Sequence, residues 1–167
     1  EDLLYWIRRL ETEKHIPVMP VYVDSPMAAE AQKFYTARVT GLDADMRPAS
    51  KHVNTFATAR FQTITSPAQS RELTANRRSA IVISSSGMAT GGRVLHHMAA
   101  ALPDSRTTVL FVGYQAAGTR GRSLVDGAKT VRIHGQAVPV NAEIAKIDSM
   151  SAHADRGEIM QWLGTFP

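Results

Sequence analysis

"SAIVISSSGMATGGRVLHHMAAALPDSRTTVLFVGYQ", residues 79–115, decides the fold class. Ala80 to Ser84 is a short, β-branched apolar run, which reads as a buried strand. A Ser/Gly loop follows. Val94, Leu95, Met98 and Leu102 then recur on one face of a helix, and Thr108 to Val112 forms a second apolar run. Two apolar strands joined by a helix make a βαβ unit, which implies parallel strands and a right-handed crossover.

The same alternation extends outward. Residues 1 to 14 place Leu3, Leu4, Ile7 and Leu10 on one helical face. Val18 to Val23 reads as a buried strand ending at Asp24. Ser25 is placed to cap a helix that starts at Pro26, where the missing N–H costs nothing, and runs to Val39. Residues 41 to 79 are polar and broken, with a short strand expected at Phe61 to Thr65 and a turn or helix from Ser66–Pro67. "AGTRGRSLVDGA" starts a short helix. "TVRIHGQAVPV" reads as a hairpin turning near His134–Gly135–Gln136, and Asn141 to Ile147 as a strand. The expected class is α/β, with a Rossmann-like, mostly parallel sheet flanked by helices.

Composition narrows the function classes. The chain has 167 residues, 44% hydrophobic and 20% charged, and no cysteine. Disulfides and thiolate metal sites are therefore excluded, and a reducing cytoplasm is the expected setting. No apolar run approaches the length that spans a bilayer. The chain opens in mid-helix without an initiator Met, so a segment cut from something longer is expected. Net charge is +4, unevenly spread. Residues 1 to 50 carry six Lys/Arg and eight Asp/Glu, whereas residues 70 to 135 carry nine and three. That half suits a polyanion or is simply a solvated basic face.

Three motifs bear chemistry. "SSSGMATGGR", residues 84–93, joins a strand to a helix at the sheet edge where open α/β folds bind ligands. Free N–H groups of such a helix favour an anion, and Arg93 would add a charged contact. It lacks the Gly-Lys-Ser/Thr ending of a P-loop. Ser86, Gly87 and Arg93 are the phosphate-binding candidates here, with an ordinary tight turn as the alternative. Asp24 ends its strand at a similar place, to contact substrate, hold a loop or cap a helix. "GTRG", residues 118–121, offers a backbone turn and arginines to the sheet edge; its likeness to the clamp of KH domains has no matching context. Of the adjacent His96 and His97, one is expected half-buried and the other exposed, because neighbouring helical residues diverge. In "SAHAD", residues 151–155, Asp155 with Glu158 reads as a capping box, which leaves His153, with Ser151 nearby, as an acid/base candidate. No second cluster completes a metal site within the chain.

Taken in order, "VYVDSPMA", "SSSGMATGGRVLHHM", "VLFVGYQAAGTRGRSLVDGAKTVRIHGQAVPVNAEI" and "SAHADRGEIMQWL" resemble the β-CASP region of metallo-β-lactamase-fold nucleases. The branch they are most similar to is the prokaryotic relatives of the mRNA 3′-end cleavage endonuclease. The resemblance implies a zinc-dependent endoribonuclease in which RNA lies between the β-CASP domain and a metallo-β-lactamase domain. It implies two zinc ions whose ligands lie outside this chain, including a His-x-His-x-Asp-His motif upstream, so the chain alone is expected to hold no metal and to be inactive. His153 matches the second β-CASP motif, where the His is the general acid. Ser151 and the Ser86–Gly87 loop would help position phosphate. The resemblance divides the chain into a β-CASP domain at 1–143 and, at 144–167, the start of a return into the metallo-β-lactamase domain. RNA, that other domain and a second copy of the chain are the expected partners. The rival reading is a non-catalytic nucleotide- or phosphate-binding Rossmann-like module.

Overall fold

The computed structural model describes residues 2–38, 54–76, 78–150 and 154–166. Its centre of organisation is β1 (Val21–Val23), a three-residue strand flanked in parallel by β2 (Phe61–Thr63) and β3 (Ile81–Ile83). Val21 lies opposite both Phe61 and Ile81, and Val23 opposite both Thr63 and Ile83. Val21 and Val23 share one face of the sheet and are buried there, whereas Tyr22 on the other face stands beside exposed Gln62 and Val82. Helix α1 (Asp2–Thr12) covers this sheet with Leu4 and Ile7, which cluster with Val21, Val23 and Phe56.

The helices that follow β1 and β2 each have a local reason to start. Ser25 accepts from Ala28 N (3.2 Å) and Pro26 opens α2 (Pro26–Ala37). Ser66 and Gln69 form a capping box at α3 (Pro67–Ala75). By contrast, α4 (Val94–Ala101) begins without a side-chain cap.

A second core lies under α4. Leu95, Met98 and Leu102 pack with Phe111 of β4 (Thr108–Val112), Leu124 of α5 (Arg120–Val125) and residues of the β5–β6 hairpin (Thr130–Ile133, Gln136–Pro139). The hairpin alternates buried Val131 and Ile133 with exposed Thr130 and Arg132, and it turns through His134 and Gly135. Strand β7 (Glu143–Ile147) pairs in parallel with β4 from Thr108↔Glu143 to Val112↔Ile147. The chain then ends its described part with α6 (Arg156–Leu163), whose Ile159, Met160, Trp162 and Leu163 are all exposed. Among the described residues, no helix is long and apolar enough to cross a membrane.

The α/β class and the parallel strands agree with expectation. The direct partnership implied for the strands on either side of α4 does not form. β3 bonds to β1, whereas β4 bonds to β7. Apolar runs specify strands, but a crossover does not oblige its two strands to be neighbours. The loop after β3 still approaches the end of β4: a Cβ built on Gly87 would lie 3.9 Å from Val112 O.

Candidate functional site at the carboxyl edge of the first sheet

Because β1, β2 and β3 are parallel, their carboxyl ends reach one edge, and three side chains converge there on Asp24. The Asp24 backbone N–H donates to Ile83 O (2.8 Å), which locks it beside β3. Its carboxylate is fully buried and accepts from Ser70 Oγ (2.5 Å), His97 Nε2 (2.6 Å) and Arg93 Nη1 (2.7 Å). Burial is the strongest single influence on this carboxyl and pushes its pKa up. The hydrogen bonds from Ser70, His97 and Arg93, with the charge of His97, together outweigh burial and hold the pKa below the usual carboxylate value.

The network extends one bond further. Thr74 gives its single hydroxyl proton to Ser70 O (2.8 Å), so its oxygen meets His97 Nδ1 (3.2 Å) as an acceptor. With Nε2 facing the carboxylate, both ring nitrogens of His97 are engaged. Arg93 Nη1 also reaches Ile64 O (3.3 Å), beyond the end of β2. Thus one carboxylate ties β1, β2, α3 and α4 together. A buried carboxylate without such partners would cost several kcal/mol.

The Ser84–Arg93 loop is fastened on both flanks. On one, Ser84 Oγ donates to Asp24 O (2.9 Å) and the hydroxyls of Ser25 and Ser85 share a hydrogen bond (2.7 Å). On the other, Gly121 N donates to Met88 O (2.9 Å), Arg120 Nη1 donates to Ala89 O, and Ala116 N approaches Met88 Sδ (3.1 Å). Gly121 is required by this close approach: a Cβ there would stand 2.8 Å from Gly87 O. The second Gly-containing motif therefore clamps the first.

Residues 1–124 match the Beta-Casp domain, and residues 137–167 match the Zn-dependent metallo-hydrolase RNA specificity domain. The chain belongs to the β-CASP family. Ribonuclease TTHA0252 of Thermus thermophilus is 33% identical over 98% of this chain, which covers 38% of that protein. Transcription termination factor FttA of Methanosarcina mazei is 32% identical over 89% of the chain and 24% of its own length. FttA of Pyrococcus abyssi is 32% identical over 86% and 23%. The chain thus spans well under half the length of these β-CASP relatives.

Against this family frame, the expected site residues fall into three groups. Asp24 and Arg93 are brought together, facing each other rather than solvent; holding neighbouring elements is the role this geometry describes for Asp24. Ser86 and Gly87 sit in the clamped loop, half-buried and exposed respectively. The N–H groups expected to be free at the start of α4 are partly taken: Leu95 N donates to Gly92 O (3.3 Å) and His96 N to Arg93 O (3.0 Å). Ser151 and His153 lie outside the described residues. Asp155 caps α6 through reciprocal bonds with Glu158 (2.9 and 2.8 Å).

Sequence reasoning missed Ser70, Thr74, His97, Arg120 and Gly121 as parts of the site. A signal existed for the first three. Ser70 and Thr74 are four apart on α3, and Arg93 and His97 are four apart at α4, so each pair shares a face. Among the described residues, no group of three or more His, Asp or Glu could hold a metal, and Asp24 and His97 already satisfy one another. The described residues therefore do not fit a zinc ion.

Proposed function

We propose that this chain is the RNA-binding β-CASP part of a zinc-dependent endoribonuclease that hydrolyses RNA phosphodiester bonds. The observation that carries this is the pair of matches in one chain, a Beta-Casp domain followed by a Zn-dependent metallo-hydrolase RNA specificity domain. The ribonuclease named among its relatives supports the same reaction class. The relatives named as transcription termination factors favour nascent transcripts as the RNA.

In this proposal His153 donates the proton to the leaving oxygen, and Ser151 with the Ser86–Gly87 loop positions phosphate. The clamped loop suits that task, since a preorganised backbone loses little entropy on binding. Zinc is held by residues outside this chain. Residues 1–143 form the β-CASP domain, and residues from 144 onward return to the metallo-β-lactamase domain. The exposed Ile159, Met160, Trp162 and Leu163 of α6 offer that domain an apolar face.

The test uses the full-length protein, zinc and an end-labelled RNA. Internal cleavage products are expected. His153→Ala should slow cleavage by about 100-fold or more, the usual contribution of a general acid, with RNA affinity nearly unchanged. Loss of affinity with no change in the cleavage step would refute the assigned role. The 167-residue chain alone is expected to leave the RNA intact.

A further inference from the structure

The face of α4 next to His97 carries a feature that the proposed cleavage site does not use. His96 is exposed, and its imidazole stacks on that of His134, with centroids 4.6 Å apart and planes 25° from parallel. His134 belongs to the two-residue hairpin turn, in which His134 has φ +48° and Gly135 φ +79°. Two consecutive positive φ values define a type I′ turn, which favours Asn or Gly at both positions. Histidine is among the non-glycine residues that adopt this region more readily, and here the turn brings its ring onto that of His96.

Two arginines border the turn that carries His134. Arg132 Nη1 reaches Gly135 O within the turn (3.4 Å), and Arg120 Nε donates to Arg132 O (2.7 Å). Among the described residues, none of His96, His134, Arg120 and Arg132 pairs with a carboxylate, in contrast to Arg9, Arg106 and Arg122. The outward face of the hairpin beside Arg132 is built from Thr130, Ala137 and Pro139, small and uncharged. Among the described residues of the hairpin, that face carries no acidic group to keep a polyanion away.

We propose that the His96–His134 stack, with Arg132 beside it, is a contact surface for single-stranded RNA, one base packing on the imidazole pair and a flanking phosphate meeting the guanidinium. The proposal rests on the RNA reading above and adds a place on the molecule. A flat aromatic platform next to an unpaired cation matches how single strands are held. A duplex keeps its bases stacked on one another, and an acidic peptide has no use for the ring face.

The test measures binding of a fluorescent single-stranded RNA to the full-length protein at several salt concentrations. His134→Gly suits the turn geometry and His96→Ala suits an exposed helix position, so both variants should melt no lower than the parent. Each is expected to weaken RNA binding by about fivefold or more at every salt concentration, as loss of one base stack does. Arg132→Ala should instead reduce the salt slope by about 0.7, one phosphate contact on a single strand. Polyglutamate should bind His134→Gly and the parent equally. If the parent binds and cleaves RNA while these variants bind it as tightly, this inference alone fails. If the parent does not bind RNA, the functional reading fails with it. Equal losses for RNA and polyglutamate would assign the surface to an acidic polypeptide and overturn the proposal.

Discussion

His96 and His97 are consecutive in sequence, yet the two flanks of α4 use them in opposite ways. On the His97 flank, the ring is largely buried and its nitrogens are committed to Asp24 and Thr74. On the His96 flank, the ring is exposed and touches another ring rather than an ion. The first arrangement binds four elements into one unit. The second leaves a polar aromatic surface on top of a finished core. A helix turns about 100° per residue, so adjacent positions can serve the interior and the exterior with no compromise between them. The difference teaches that stability and recognition are separated here by one residue rather than by one domain.

The largest test of that contrast is at Asp24. Asp24→Ala would leave Arg93 and His97 facing a buried space without their carboxylate, and should cost about 3–5 kcal/mol, read from urea unfolding. The same carboxylate fixes the sign of an acid dependence. Its folded pKa lies below the unfolded value of about 3.9, so its contribution is fully present above that pH. The contribution is lost as pH falls through the folded value. Urea midpoints should therefore drop on acidification below about pH 4, and Asp24→Asn should flatten that part of the profile.

Next in size is the paired comparison itself. His97→Ala removes a partner from a buried carboxylate and should cost about 1–3 kcal/mol. His96→Ala should change stability by less than about 0.5 kcal/mol. Equal costs would abolish the distinction between the flanks. Gly121→Ala forces a Cβ against backbone that cannot swing aside, and should cost about 1–3 kcal/mol. It should also shift the amide resonances of Gly87 and Met88, which a purely helical effect would leave in place. A smaller loss than at Gly121 is expected at Asp155→Ala. Loss of the cap should cost α6 about 1 kcal/mol, seen as faster amide exchange confined to that helix.

Element types were legible in the sequence because they follow from local periodicity and caps. The Ser25–Pro26 and Asp155–Glu158 signals lead to helix starts where the structure has them. Pairing was less legible. Both β3 and β4 are recognisable as apolar runs, but nothing within residues 79–115 states that each will bond to a strand elsewhere in the chain. The site divides the same way. Asp24 and Arg93 stand out singly as a strand-end acid and a loop-end base. Their meeting, with Ser70 and His97 around them, depends on how α3 and α4 pack over the sheet. The sequence places Arg120 and Gly121 in a turn at the sheet edge, and the loop they clamp is identifiable only in three dimensions.

The central position of β1 has a consequence in time as well as space. Its neighbours β2 and β3 are made long after it, and Asp24 precedes Arg93 by 69 residues. At about 5–20 residues per second of synthesis, Asp24 waits on the order of 3–14 s for its guanidinium. Within that interval β2 and then β3 become available to Val21 and Val23, and Ser70 to the carboxylate, but the charged partner comes last. The full network around Asp24 cannot form before residues 93 and 97 are made. It closes late, when β3, the loop after it and the start of α4 have left the ribosome, and chaperone dependence is expected to fall sharply at that chain length.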